Sequence, residues 1–206
     1  MSEIILFSKV RWKNFLSTGN AWSEVLLDKS PNTLIVGENG SGKSTVLDAL
    51  CFVLFNRPFR KINRPQLVNT INEKDLLVEI EFKIGSRDYL IRRGAKPNVF
   101  EIYVNDVLQN QPGSTRDYQD LLERTILKLN FRSFTQIVIL GSTSFVPFMQ
   151  LTAATRREVI EDLLDIQIFS NMNLLLKDRV SVNKSEINDS EYVVKLLNEK
   201  ISIQKE

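Results

Sequence analysis

Gly37-Glu38-Asn39-Gly40-Ser41-Gly42-Lys43-Ser44 decides the reading of this chain. The run fits the pattern G-x-x-x-x-G-K-[ST] at every fixed position. Just before it, Thr33-Leu34-Ile35-Val36 is a short, apolar, partly β-branched run that reads as a buried strand. Just after it, Thr45-Val46-Leu47-Asp48-Ala49-Leu50-Cys51-Phe52-Val53-Leu54-Phe55 is long and apolar enough for a buried helix. Strand, glycine-rich loop and helix together form a phosphate cradle. The glycines let the backbone curl and approach an anion without a side-chain clash. The amides that open the helix then form a positively polarised nest. On this reading Asn39, Gly40, Ser41, Gly42, Lys43, Ser44 and Thr45 hold nucleotide phosphates. Lys43 reaches the β- and γ-phosphates, and the Ser44 hydroxyl ligates Mg²⁺.

Working outward, residues 4–15 are rich in β-formers, and Glu24-Val25-Leu26-Leu27 reads as a second short strand. From Val78 to Ile84 apolar and polar residues alternate, as in a half-exposed strand. Gly85-Ser86 reads as a turn, Tyr89-Leu90-Ile91 as the returning strand, and residues 99–104 as a third, ending at Asn105-Asp106. These three strands predict an antiparallel sheet added to a phosphate-loop core. Residues 117–129 read as a helix with Ser114 or Thr115 as its cap. The near-continuous apolar run 134–140 reads as a central strand. Thr155-Arg156-Arg157-Glu158 has capping-box spacing and opens a helix through Leu164.

The tail differs in kind. After Asp165 there is neither proline nor glycine. Leu176, Val180, Asn183, Ile187, Ser190, Val194, Leu197 and Ile201 recur at alternating steps of four and three, a heptad seam weakened at its two polar members. The 3.5-residue period favours a coiled coil over one amphipathic helix lying on its own domain. The expected domains are therefore a lobe over residues 1–165 and the start of an outgoing coiled-coil helix over 166–206.

Composition bounds the rest. The chain has 206 residues, 43% of them apolar and 25% charged, as in an ordinary water-soluble domain. It contains no apolar run long enough to span a bilayer. Its first residues lack the basic and apolar regions of a secretory leader, so a cytoplasmic location is expected, in a host cell if the gene is viral. The single cysteine, Cys51, leaves no internal disulfide, and the absence of histidine excludes imidazole acid–base chemistry. A net charge of +2 announces no nucleic-acid partner by itself. Two local clusters, Arg57, Arg60, Lys61, Arg64 and Arg87, Arg92, Arg93, Lys96, read equally as solvated faces or as phosphate contacts. Trp12 and Trp22 read as packing residues.

Further motifs carry a resemblance. Val10-Arg11-Trp12-Lys13-Asn14-Phe15-Leu16-Ser17, the phosphate loop with its following Leu47-Asp48-Ala49, the stretch from Phe134 to Met149, and Arg156-Arg157-Glu158-Val159-Ile160-Glu161-Asp162-Leu163-Leu164 occur in an order that resembles the SbcC-type double-strand-break-repair ATPases, relatives of the structural-maintenance-of-chromosomes (SMC) proteins. Asn56-Arg57-Pro58-Phe59-Arg60, residues 92–102 and Phe145-Val146-Pro147-Phe148-Met149 look like the branch formed by the large recombination-exonuclease subunits of T-even-like bacteriophages. The resemblance implies an α/β phosphate-loop fold: the N-terminal lobe of an ABC/SMC-type ATPase head with an antiparallel β-subdomain, followed by a coiled-coil helix.

It implies ATP and Mg²⁺ as cofactors, and an ATP-driven clamp on duplex DNA, indifferent to sequence, that gates a Mn/Mg-dependent nuclease subunit. The implied partners are that nuclease, the C-terminal half of the same head and a second head as homodimer, with no membrane. Val68, Asn69 and Thr70 fall where the family has further nucleotide contacts. The family's arginine after the "KNF" is Leu16 here, and its Q-loop glutamine falls at Ser142, with Gln136 six residues earlier as the other candidate for that role. No Asp-Glu-ended strand, Ser-Gly-Gly signature or Cys-x-x-Cys follows the loop, and the resemblance places those in the zinc hook and the C-terminal half. The expectation is an N-terminal lobe, inactive in isolation. A nucleotide-binding assembly module without turnover and an unrelated phosphate-loop enzyme, such as a small-molecule kinase, are the competing readings.

Overall fold

A computed structural model describes residues 4–110, 114–139, 148–164 and 166–205. Six antiparallel strands form one sheet in the order β2-β1-β3-β4-β5-β6. They are β1 (Ile5–Lys13), β2 (Ser23–Leu26), β3 (Leu76–Ile84), β4 (Arg87–Ala95), β5 (Val99–Val104) and β6 (Val107–Leu108). The expected three-strand sheet is therefore continuous with the N-terminal strands. Period-two alternation sorts its faces. Val10, Trp12, Val78, Ile80, Phe82, Ile91, Phe100 and Ile102 point inward and are buried. Outward, Glu24, Arg11, Glu79, Arg92 and Glu101 fall in one register row across β2, β1, β3, β4 and β5. Opposite charges alternate along that row, and Glu79 bridges Arg11 at 2.5 Å and Arg92 at 2.8 Å.

The inner face packs on α1 (Thr45–Phe55), which is buried along nearly its whole length. Asp48 in its first turn suits the positive end of the helix dipole. At its other end Asn56 turns left-handed, at φ 59°, and donates its N–H to the Phe52 carbonyl. The exposed last-turn carbonyls find side-chain donors: Arg93 Nε donates to Val53 O at 2.9 Å and Gln119 Nε2 to Leu54 O at 2.9 Å. That arrangement answers the orphan carbonyls every helix leaves. Burial draws the Arg93 guanidinium down to about 9, with nearby Arg64 adding to the shift.

Four sequence expectations change. Thr33 to Val36 forms no strand, and Leu34 and Val36 are 87% and 80% exposed. A strand needs a hydrogen-bonded neighbour, and none of the described strands runs beside this segment. The expected central strand over 134–140 is instead the helix α3 (Phe131–Ile137), capped by Asn130, whose side chain accepts from Ser133 N; Leu140 lies outside the described residues. A short apolar run does not tell strand from buried helix by period alone, and the Asn130 cap is what tips it. The chain does not stop at Asn105-Asp106. Both residues take positive φ, 50° and 64°, as a two-residue hairpin turn requires, and β6 follows. Finally, α4 (Ala153–Leu163) starts before the presumed capping box. Thr152 is the cap, its hydroxyl accepting from Thr155 N at 3.3 Å.

The helix expected over 117–129 begins as α2 (Thr115–Asp120), with Ser114 as cap, and widens into a π-helical stretch, Leu121–Leu127. The tail is one helix, α5 (Gln167–Lys205), 39 residues and about 58 Å long at 1.5 Å per residue. By compactness the chain separates into two units, Met1–Val159 and Ile160–Glu206. Within α5 every seam residue from Leu176 to Ile201 is exposed. Ser190 satisfies its hydroxyl internally, donating to Glu186 O at 2.8 Å. Among the described residues no helix is long and apolar enough to cross a membrane.

Candidate nucleotide-phosphate site

The loop closes as its composition dictates. Gly40 and Gly42 sit at φ 88° and 93°, a region costly for any residue with a Cβ. Ser41 N donates to Glu38 O at 3.2 Å and Thr45 N to Gly42 O at 2.9 Å, so the loop tightens into the first turn of α1. Lys43 folds over its own loop, its Nζ donating to Gly37 O at 2.6 Å and Glu38 O at 2.7 Å. Ser44 occupies the cap position of α1 without a side-chain cap bond, which leaves its hydroxyl available.

Asn39, Gly40, Gly42, Lys43, Ser44 and Thr45 line one cleft of ≈ 530 Å³. Ser41 is not on its wall. Opposite them stand Leu16, Ser17, Arg60, Ile62, Gln66 and Thr70. Leu16 and Asn14 both take positive φ, 55° and 51°, which folds the segment after β1 into a tight turn. That turn is tied down by Asn69, whose Nδ2 donates to Leu16 O at 3.2 Å and Thr18 O at 3.0 Å while its Oδ1 accepts from Ile71 N and Asn72 N.

Of the three outlying candidates, then, only Thr70 lines the cleft. Asn69 spends its side chain on the backbone, and Val68 is buried beside Phe15. Gln136 sits in α3 rather than a strand and is absent from the cleft wall; its buried Oε1 has no partner among the described residues. Ser142 lies outside the described residues.

Other candidates resolve individually. Burial, and secondarily the Asp48 charge, pushes the Cys51 thiol up to about 12, so it is an inert packing group. The second basic cluster divides between the two sheet faces: Arg93 is buried, with Phe100 3.7 Å from its Cζ, while Arg92 lies in the outward ion-pair row. In the first cluster, Arg57 lies over the Phe131 ring at 4.8 Å and Arg64 donates to Asn98. Trp12 packs inward, whereas Trp22 is half-exposed with Arg11 and Lys13 over its ring. A larger concavity, ≈ 1090 Å³, runs along α5 past Asn183, Ile187, Ser190 and Val194. It is an open helix face without convergent anion donors, so the phosphate chemistry belongs to the smaller cleft. Among the described residues no group of acidic, Cys or His side chains is arranged to hold a metal.

Sequence reasoning missed Arg60. Its place on the cleft wall follows from an ion pair with Asp48, and no local pattern announces a pair that far apart.

Known proteins bear the site out at the level of family and fold. The sequence matches the AAA domain family over residues 9–206. It is 39% identical over 205 residues to exonuclease subunit 2 of Escherichia phage RB69, covering 96% of this chain and 36% of that protein. It is 43% identical over 170 residues to exonuclease subunit 2 of Enterobacteria phage T4, covering 82% and 30%. The DNA double-strand break repair Rad50 ATPase of Thermoplasma volcanium is 24% identical over 202 residues, covering 96% of this chain and 22% of that protein. The chain thus spans about a third of the phage relatives' length.

In fold it is similar to the SMC head domain with coiled coil and joint from Pyrococcus yayanosii, at TM-score 0.57 and 19% identity, over 96% of this chain and 39% of that one. It is also similar to a chain solved in work on ATP-driven dimerization and DNA stimulated activation of SMC ATPases, at TM-score 0.53 and 23% identity, over 77% and 99%. Phosphate loop, SMC-type head fold and sequence match agree, and the chain belongs to the AAA domain family, in company with the phage exonuclease subunits and the Rad50 and SbcC ATPases.

Proposed function

We propose that this chain is the ATP-binding lobe of an SMC-like ATPase subunit in a double-strand-break repair and recombination nuclease complex. Residues 1–165 supply the lobe and 166–206 the outgoing arm. The observation that carries the reading is the loop itself: Gly40 and Gly42 at positive φ, an open helix N-terminus behind them, and a lysine held over the same cleft. Asn39 to Thr45 bind the phosphates through their amides, and Lys43 exchanges its two carbonyl contacts for phosphate oxygens, a charge-assisted and therefore stronger pairing. Ser44, whose hydroxyl is free of a cap bond, would hold Mg²⁺. The metal would supply charge neutralisation at the β- and γ-phosphates, and ATP the anhydride whose cleavage drives the clamp.

Among the described residues no acidic side chain lines the cleft. Hydrolysis therefore calls for groups from the second half of the head and from a second head. The heptad seam of α5 pairs with the returning helix of the same subunit, and the nuclease docks near its base. Duplex DNA is held through Lys and Arg on its phosphates, without reading bases. The calorimetric test is Lys43→Ala, expected to weaken ATP binding at least about tenfold, 1.4 kcal/mol. Unchanged affinity in a folded variant would sink the assignment. The chain alone should show almost no multiple turnover; robust turnover abolished by Lys43→Ala would mean that it carries a complete catalytic site. DNA affinity should fall steeply with salt and be equal for unrelated duplexes; a salt-independent or sequence-selective profile counts against the clamp.

A further inference from the structure

Two cations face the phosphate-loop cleft, and only Lys43 belongs to the loop. The other is Arg60. The chain leaves α1 at Asn56, doubles back along the helix, and brings Arg60 against Asp48 in the first turn of α1. Asp48 is 0% exposed and is committed to that one residue. The backbone N–H of Arg60 donates to Oδ1 at 2.9 Å, Nε donates to Oδ2 at 2.7 Å, and Nη2 pairs with Oδ2 at 2.5 Å. A buried carboxylate left unpaired is strongly destabilising, so the pair holds the returning loop in a defined place.

The clamp engages only one edge of the guanidinium. The Arg60 side chain remains 48% exposed, and its Nη1 donors have no partner among the described residues. A guanidinium carries five donors in a fixed fork, so engaging one edge orients the other and lowers the entropy lost when an anion binds there. A loop anchored only for stability is equally served by an apolar contact. Here a buried charge is instead spent on fixing a cation at the wall of an anion cleft. The opposite wall offers Leu16, Ser17, Ile62, Gln66 and Thr70, none of which is charged.

We propose that Arg60 is a second cationic ligand of the nucleotide's polyphosphate tail and that Asp48 is its positioning residue. The proposal rests on reading the cleft as an ATP site. Calorimetric titration of the full chain with ATP and with tripolyphosphate tests it. The comparison is Asp48→Asn, which keeps the cation, against Asp48→Asn/Arg60→Gln, which replaces the ion pair by a neutral amide pair and strands no buried charge. The double variant should bind both probes about tenfold more weakly than the single one, a difference of 1.4 kcal/mol. Equal ATP affinity in the two variants overturns the proposal. So does a loss for ATP with tripolyphosphate unaffected, which would make Arg60 a nucleoside contact. Lys43→Ala separates the two levels. If it loses ATP while the double variant does not, the site stands and the role of Arg60 falls. If Lys43→Ala, or the wild type at millimolar ATP, shows no dependence on the loop, the site reading falls and takes this one with it.

Discussion

Helix α1 and helix α5 are both rich in apolar residues, yet one is covered almost completely and the other almost not at all. In α1 apolar residues occupy every face, so no single partner can bury it. It is covered by β1, β3 and β4, with the π-helical stretch adding a further surface. In α5 the apolar seam is a narrow stripe at 3.5-residue spacing, separated by charged positions such as Lys184, Glu186 and Lys195. A stripe of that width suits one partner helix. The difference lies in how the apolar residues are distributed around the helix, since apolar content alone predicts burial for both.

The largest expected effect tests that contrast directly. Phe52 is fully buried and packs 5.6 Å from the Phe15 ring, so Phe52→Ala should cost about 3–5 kcal/mol in urea unfolding. Leu197→Ala in the seam should change the stability of the isolated chain by less than about 0.5 kcal/mol. A comparable loss at both positions would mean that the α5 stripe is already packed. The association side of the contrast uses Val194→Glu with Leu197→Glu. That pair should abolish self-association or pairing by sedimentation while ATP binding persists; loss of ATP binding as well would make the tail part of the head's fold.

The next effect sharpens the account of what holds α1. Arg93→Met keeps much of the apolar stem but leaves the buried Val53 carbonyl without its donor, for about 1–3 kcal/mol. Its neighbour Arg92→Met should cost at most about 1 kcal/mol, because Arg92 is a partly exposed member of an ion-pair row in which Arg11 still serves Glu79. Equal losses would mean that the two faces of β4 are energetically alike, contrary to the burial.

What was legible in the sequence was whatever local chemistry decides. The positive-φ demand at Gly40 and Gly42, the helix that follows, the alternation in β3 and β5, and the proline- and glycine-free tail are each set by residues close in the chain. What was illegible depends on distant partners. Thr33 to Val36 has the composition of a strand, but composition cannot supply the adjacent ladder. Residues 134 to 137 have a buried strand's composition as well, and only the Asn130 cap selects a helix. In the site, the loop residues were readable from the motif. Arg60 was not, because its position is fixed by Asp48 twelve residues away, and Asn69 was not readable as a backbone tie because its partners lie more than fifty residues upstream.

The smallest effect concerns the π-helical stretch that covers part of α1. Glu123 accepts from Gln119 Nε2 at 2.6 Å, and Gln119 in turn caps Leu54, so this carboxyl sits at the end of the chain of contacts that closes the helix. Burial, with Asp120 adding to it, raises its pKa above the ordinary carboxylate value despite the opposing Gln119 hydrogen bond and the Arg57 and Arg93 charges. A raised carboxyl contributes stability that is fully present below its unfolded pKa and is lost as pH rises through the folded one. At neutral pH the ionised form is thus the penalised form. Glu123→Gln removes the charge and keeps a side-chain carbonyl to accept from Gln119. The variant should therefore melt slightly higher than wild type at pH 7, by less than the Arg93→Met loss, and the gain should vanish as both are taken below the carboxylate range. A thermal-melt series over pH reads this directly. A variant less stable than wild type at neutral pH would show that attraction to Arg57 and Arg93 outweighs burial, and that the cover over α1 is held by charge rather than by packing.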